Sequence, residues 1–131
     1  MADYTPVYAN GAKPFTATTS AAVTGGRVLA ASGNGTVAHA GTPASTVACG
    51  VAAHDAASGA KVSVWPLEGV VHELEAASAI NALAGVQTQA NGQVETVTTS
   101  IAAGSAAGTL IGTALTTAAG SPLKLRVQGR R

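Results

Sequence analysis

The chain has 131 residues and a net charge of +1, with 47% hydrophobic, 10% charged and only 3% aromatic residues. That length argues for one domain. The weak charge leaves no footprint for nucleic acid or an anionic membrane. One cysteine excludes an intrachain disulfide framework and a multi-cysteine metal site, and no run approaches the ~18 consecutive apolar residues of a membrane span.

The first segment, residues 1–19, holds Pro6, Pro14, Asn10-Gly11 and three of the four aromatics: Tyr4, Tyr8 and Phe15. Poor alternation and proline punctuation predict an extended arm, with the β body running over residues 20–131. The arm is expected to order only on a partner, with Tyr4, Pro6, Val7, Tyr8 and Phe15 as contacts, because aromatics are enriched at interfaces. Its start, Met1-Ala2-Asp3-Tyr4, lacks the basic and apolar regions of a signal peptide, so synthesis in a reducing cytoplasm is expected.

Beyond it, short strands alternate with tight turns. Arg27–Ala31 and Thr36–His39 flank Gly33-Asn34-Gly35, and Val86–Thr88 and Gln93–Val97 flank Asn91-Gly92. Asn-Gly suits the positive φ angles of a type I′ turn, so both are predicted hairpins. Lys61–Trp65 alternates and stops at Pro66, which has no N–H for a ladder. Val70, His72 and Leu74 share one strand face, with Val71, Glu73 and Glu75 on the other. Residues 77–83 allow at most a short turn or helix before Gly85, and 98–109 read as a surface loop. Leu123–Val127 shows the clearest period of two, with Leu123, Leu125 and Val127 on the apolar side. There is also an internal echo. Cys49–Gly59 before the strand at 61–65 resembles Ile111–Gly120 before the strand at 123–127, suggesting two similar hairpins in a small barrel or sandwich.

The search for chemistry finds no enzyme. Gly25-Gly26-Arg27 lacks a phosphate-loop context. Ser58-Gly59-Ala60-Lys61 fits Ser-x-x-Lys, but a strand follows where that chemistry needs a helix. His39, His54 and His72 have no metal-ligand spacing and read as solvated or rim histidines. Cys49 reads as a small buried thiol, Asn34-Gly35-Thr36 as a turn rather than a glycosylation acceptor, and Glu73 with Glu75 as an exposed charged edge. No catalytic, cofactor or metal residue is assigned, and no cofactor or small-molecule ligand is expected.

The 30 alanines make a thin core, since alanine and valine bury little area each. Help from subunit contacts is therefore expected. Trp65, the one large aromatic of the body, is assigned to the core or an oligomer interface. A carbohydrate- or cell-surface-binding module is the alternative reading, with Trp65 as the one available platform.

The order of these signals resembles the phage capsid cement, or head decoration, proteins. The resemblance runs from Thr19-Ser20-Ala21-Ala22-Val23-Thr24-Gly25-Gly26-Arg27-Val28 through the last strand. It includes Val51–Val64, Glu68-Gly69-Val70, and Ile111-Gly112-Thr113-Ala114-Leu115 with Ala118-Ala119-Gly120. Leu83-Ala84-Gly85-Val86 keeps the family's glycine and lacks its aspartate. The resemblance implies an all-β module on the outer surface of a capsid. It also implies a homotrimer that binds the lattice of the major capsid protein and stabilises the shell.

Overall fold

The computed structural model describes residues 3–41, 48–97, 110–121 and 123–129. Among them lie ten short strands: β1 (Phe15–Thr19), β2 (Val28–Gly33), β3 (Thr36–His39), β4 (Ala48–Ala52), β5 (Lys61–Trp65), β6 (Val71–Glu75), β7 (Gly85–Thr88), β8 (Val94–Thr96), β9 (Leu110–Ala114) and β10 (Lys124–Gly129). The fold is all-β; the described residues hold no α-helix, and residues 90–92 form a single tight turn. The first five strands form a closed barrel in the order β3-β2-β4-β5-β1, with β1 returning to β3. The second five form a sheet in the order β8-β7-β9-β10-β6. The two halves share one topology.

Their details match as well. In each half every pairing is antiparallel except the closing one, which is parallel: Thr19 with Val37 in the first, Ala76 with Val94 in the second. Val23 and Ala56 exchange backbone hydrogen bonds as a bridge between loops, and Ile80 and Ala118 do the same. Gly26 N–H donates to the Ala52 carbonyl and Leu83 N–H to that of Ala114, both at 2.8 Å. Ala53 N–H to Ser63 O and Leu115 N–H to Arg126 O form another 2.8 Å pair. The chain is a tandem structural repeat of one five-stranded unit.

The cores correspond residue by residue. Val23, Leu29, Val37, Ala52, Val62 and Val64 fill the first barrel. Their counterparts Ile80, Val86, Val94, Ala114, Leu125 and Val127 lie in the second core. Five strands enclose a narrow interior, because barrel width grows with strand number, and Ala and Val suit it. Strands cross closely enough that a side chain is excluded at two equivalent places. A Cβ on Gly50 would strike the Trp65 carbonyl, and one on Gly112 the Gln128 carbonyl. The halves are joined because β2 is buried on both faces: Leu29 points into its own barrel, while Val28, Ala30, Val51 and Ala40 join the second core with Leu67.

Several expectations change. Residues 15–19 are not arm: β1 closes the first barrel between β3 and β5. The first Asn-Gly turn is not type I′, since Gly35 takes φ 76° and Asn34 has no positive φ. At the second, Asn91 and Gly92 take φ 61° and 72°, the pair of positive angles that turn requires. β10 starts one residue late, so Leu123 lies outside the ladder and is half exposed. The tract at 98–109 lies outside the described residues. The echo is real and larger than expected: β4-β5 and β9-β10 are equivalent paired strands of the two units.

Candidate interaction surface

The N-terminal residues lie along the body and touch both repeats. Asp3 bridges His54, and Tyr4 N–H donates to the Ala53 carbonyl, both on repeat one. The Tyr4 side chain then crosses to repeat two. Its ring stacks on His72 at 5.7 Å between centroids, and its hydroxyl lies 2.6 Å from His72 Nδ1. The same oxygen accepts the Glu73 N–H at 3.1 Å. Further on, Val7 N–H donates to the Val71 carbonyl at 2.9 Å, and Tyr8 pairs with Val71. An extended segment has been added to the free side of β6.

This arrangement fixes the chemistry of His72. The residue is 0% exposed, so the rim assignment is corrected, although its strand face was read correctly. Nε2 lies 2.8 Å from the Pro66 carbonyl, which can only accept. The proton therefore sits on Nε2, and Nδ1 accepts from Tyr4. Burial holds the imidazole below its ordinary pKa, against the opposing pull of the Pro66 carbonyl. Burial likewise pushes the Tyr4 phenol well above its usual range, against the opposing pull of the Glu73 N–H, with the Glu73 charge a smaller upward push.

A second junction sits across the repeats. Arg27, just before β2, pairs with Glu75 of β6 and donates to the Asn91 carbonyl at 2.9 Å. Gln93 donates to the same Glu75 carboxylate at 2.9 Å. Glu75 is thus a structural anchor and not part of an exposed charged edge; Glu73 is exposed as expected. The tip of the β7-β8 hairpin is held by Gly92 N–H donating to the Ala40 carbonyl at 2.9 Å.

The other two histidines serve the backbone. His39 Nε2 accepts the Thr24 N–H at 2.9 Å, and burial, with nearby Arg27, lowers its pKa. His54 Nδ1 donates to the Asp55 carbonyl and Nε2 accepts from Ser63. Cys49 is half-buried, and burial raises its thiol pKa, which disfavours the nucleophilic thiolate. Among the described residues no group of three or more His, Cys, Asp or Glu is placed to hold a metal.

Of the expected arm contacts, Pro6 is buried, and Tyr4 and Val7 are half-buried against the chain's own body. Tyr8 and Phe15 remain outward, 65% and 46% exposed. Trp65 is half-buried at the end of β5 and belongs to neither core cluster. Sequence reasoning missed Leu83 and Leu115, which are exposed apolar side chains. Leu83 falls in the three-to-four spacing of the short turn or helix expected at 77–83, which does not mark it as exposed, and Leu115 carries no periodic signal. Both lie in turns, and only the alignment of the two repeats sets them apart.

The fold is similar to that of the N base of the head fibre gp8.5 of bacteriophage phi29. The TM-score is 0.67 at 22% identity, covering 92% of this chain and 98% of that one. No curated protein matches the sequence. A family model described as phage cement protein matches residues 7–129, from the segment beside β6 through the last strand, and the chain belongs to that family.

Proposed function

We propose that this structural protein of a phage particle binds the outer surface of the capsid as a homotrimer and stabilises the shell, with no catalytic role. The observation that carries the reading is the match to the phage cement family over residues 7–129. The physical character of the chain supports it. Two repeats share a continuous apolar core, and the inter-repeat contacts are closed by Tyr4, Arg27 and Glu75. Such a body can transmit load between neighbouring capsid subunits without opening. Low net charge allows many copies to pack on one particle without self-repulsion.

Tyr8 and Phe15 are the outward aromatics of the N-terminal region and the proposed capsid contacts there. The exposed part of that region is narrower than an arm of 1–19, because β1 belongs to the barrel. The test is to add the purified chain to heads assembled without it and measure occupancy and resistance to heat or chelator. Saturable binding with increased head stability is expected, and sedimentation should give three copies. A stable monomer at micromolar concentration would refute the trimer. Heads left unoccupied would refute the capsid-binding role.

A further inference from the structure

The tandem repeat allows one corner of the molecule to be compared with its own copy. In repeat one, the turn before β2 meets the end of β4 at Gly26 and Ala53. That corner is occupied: Tyr4 N–H bonds the Ala53 carbonyl, and the Tyr4 ring lies 3.5 Å from where a Cβ on Gly26 would stand. In repeat two the same corner is built from Leu83 and Leu115, as the equivalent hydrogen bonds to Ala114 and Arg126 show. It is bare. Leu83 is 82% and Leu115 43% exposed, and no described residue donates to the Leu115 carbonyl.

Leu83 is also out of place conformationally. It takes φ 76° where Gly26 takes 84°, in the left-handed region that suits glycine and strains leucine. Neither turn geometry nor core packing accounts for a leucine there. An exposed apolar side chain held at a strained position points to a contact outside the chain.

No described segment of this chain is available to cover the corner. Repeat one has Asp3–Tyr4 ahead of it, but the residues ahead of repeat two are β5 itself. Asp3–Tyr4 is already seated in cis, so a second copy cannot donate that segment. The turn residues around the corner, Asn81, Ala82, Ala84, Thr116 and Thr117, are uncharged.

We infer that Leu83 and Leu115 form a shell contact that receives an extended segment of the capsid protein, seated as Asp3–Tyr4 is seated on repeat one. The segment gives a main-chain N–H to the Leu115 carbonyl and lays an apolar side chain against Leu83. This rests on the capsid-binding reading and names a part of the surface that would do the binding.

The test uses the full chain and heads assembled without it. Leu83→Gly combined with Leu115→Ser should weaken binding at least tenfold, while far-UV circular dichroism and urea unfolding confirm an intact fold. In parallel, a photo-crosslinking amino acid placed at position 83 should join the chain to the capsid protein on decorated heads. This second measurement decides the matter if the double variant does not fold. Wild-type binding matched by the variant, or no crosslink to the capsid protein, would overturn the assignment and leave capsid binding standing. Failure of the wild type to bind heads would overturn both. A changed oligomeric mass of the variant in solution would make the corner a contact between copies and overturn the shell assignment.

Discussion

The two repeats reach the same backbone by different balances. Repeat one packs small groups at Ala17 and Cys49, where repeat two has Leu74 and Ile111. It compensates in main-chain terms: its closing parallel pair has two residues in register, against a single bridge in repeat two. It also buries the Thr19 hydroxyl, which donates to the Ala57 carbonyl at 2.6 Å, where repeat two has buried Ala76. The larger core of repeat two is not its own alone, because Val28, Ala30 and Val51 of repeat one complete it. Hydrogen-bonded closure and side-chain volume are therefore interchangeable supports for this unit. Repeat two depends on repeat one more than the reverse.

The sharpest way to break this comparison is to delete volume at one equivalent pair. Ile111→Ala removes a fully buried side chain at the centre of the shared core and should cost about 2–5 kcal/mol. Cys49→Ala, at the matching half-buried position, should cost less than about 1.5 kcal/mol. Urea unfolding of both variants checks this. Equal losses would show that the two cores carry equal weight.

A second effect sits where the N-terminal segment joins the repeats. His72 and His39 are both held below the free pKa of 6.5 in the folded chain, chiefly by burial. Below pH 6.5 the unfolded chain takes up protons that the folded chain does not, so stability falls as pH drops through that range. Above it the two residues contribute no pH dependence. Melting temperature should thus decline between pH 7 and pH 5, and His72→Gln should flatten part of that slope, leaving the share of His39. A slope unchanged by His72→Gln would mean that the buried imidazole does not titrate against the fold.

Much of the β body was legible because its strands are regular. Lys61–Trp65 alternates, ends at a proline and forms β5 with those bounds, and Val70, His72 and Leu74 are all buried. What was hidden depends on partners distant in sequence. Phe15–Thr19 has the composition of an arm, yet it becomes a strand because β3 and β5 offer it two open edges. Tyr4 carries no local signal that its hydroxyl will meet His72. The duplication was visible only in β4-β5 against β9-β10, where Gly50 and Gly112 are forced by a close strand crossing. Elsewhere the repeats keep backbone geometry while exchanging side chains, as Gly26 and Leu83 do, and a reading by residue type cannot see that. The candidate contacts follow the same rule: Tyr8 and Phe15 were legible as exposed aromatics, Leu83 and Leu115 were not.

The junction between repeats should respond more modestly. The Arg27–Glu75 pair is partly buried and shares its carboxylate with Gln93. A double-mutant cycle with Arg27→Ala and Glu75→Ala should give a coupling of about 0.5–1.5 kcal/mol, above the usual value for a surface pair. Zero coupling would reduce the contact to an incidental surface pair.

The smallest effect is the most specific to the comparison, and its sign is opposite to the rest. A left-handed backbone costs a leucine roughly 1–2 kcal/mol relative to its preferred conformation. Replacing Leu83 with Gly removes that strain but makes the unfolded chain more flexible, which returns about 0.5–1 kcal/mol. Little burial is lost, because the side chain is 82% exposed. The net expectation for Leu83→Gly is a gain of a few tenths to about 1 kcal/mol. The converse change, Gly26→Leu, meets the same backbone strain and forces a side chain against the Tyr4 ring, 3.5 Å from the Cβ position, so it should destabilise. Urea unfolding of the two variants therefore separates a shared backbone demand from two different surface uses. A loss of stability in Leu83→Gly would show that Leu83 holds its own turn together, and the leucine would then need no outside contact to explain it.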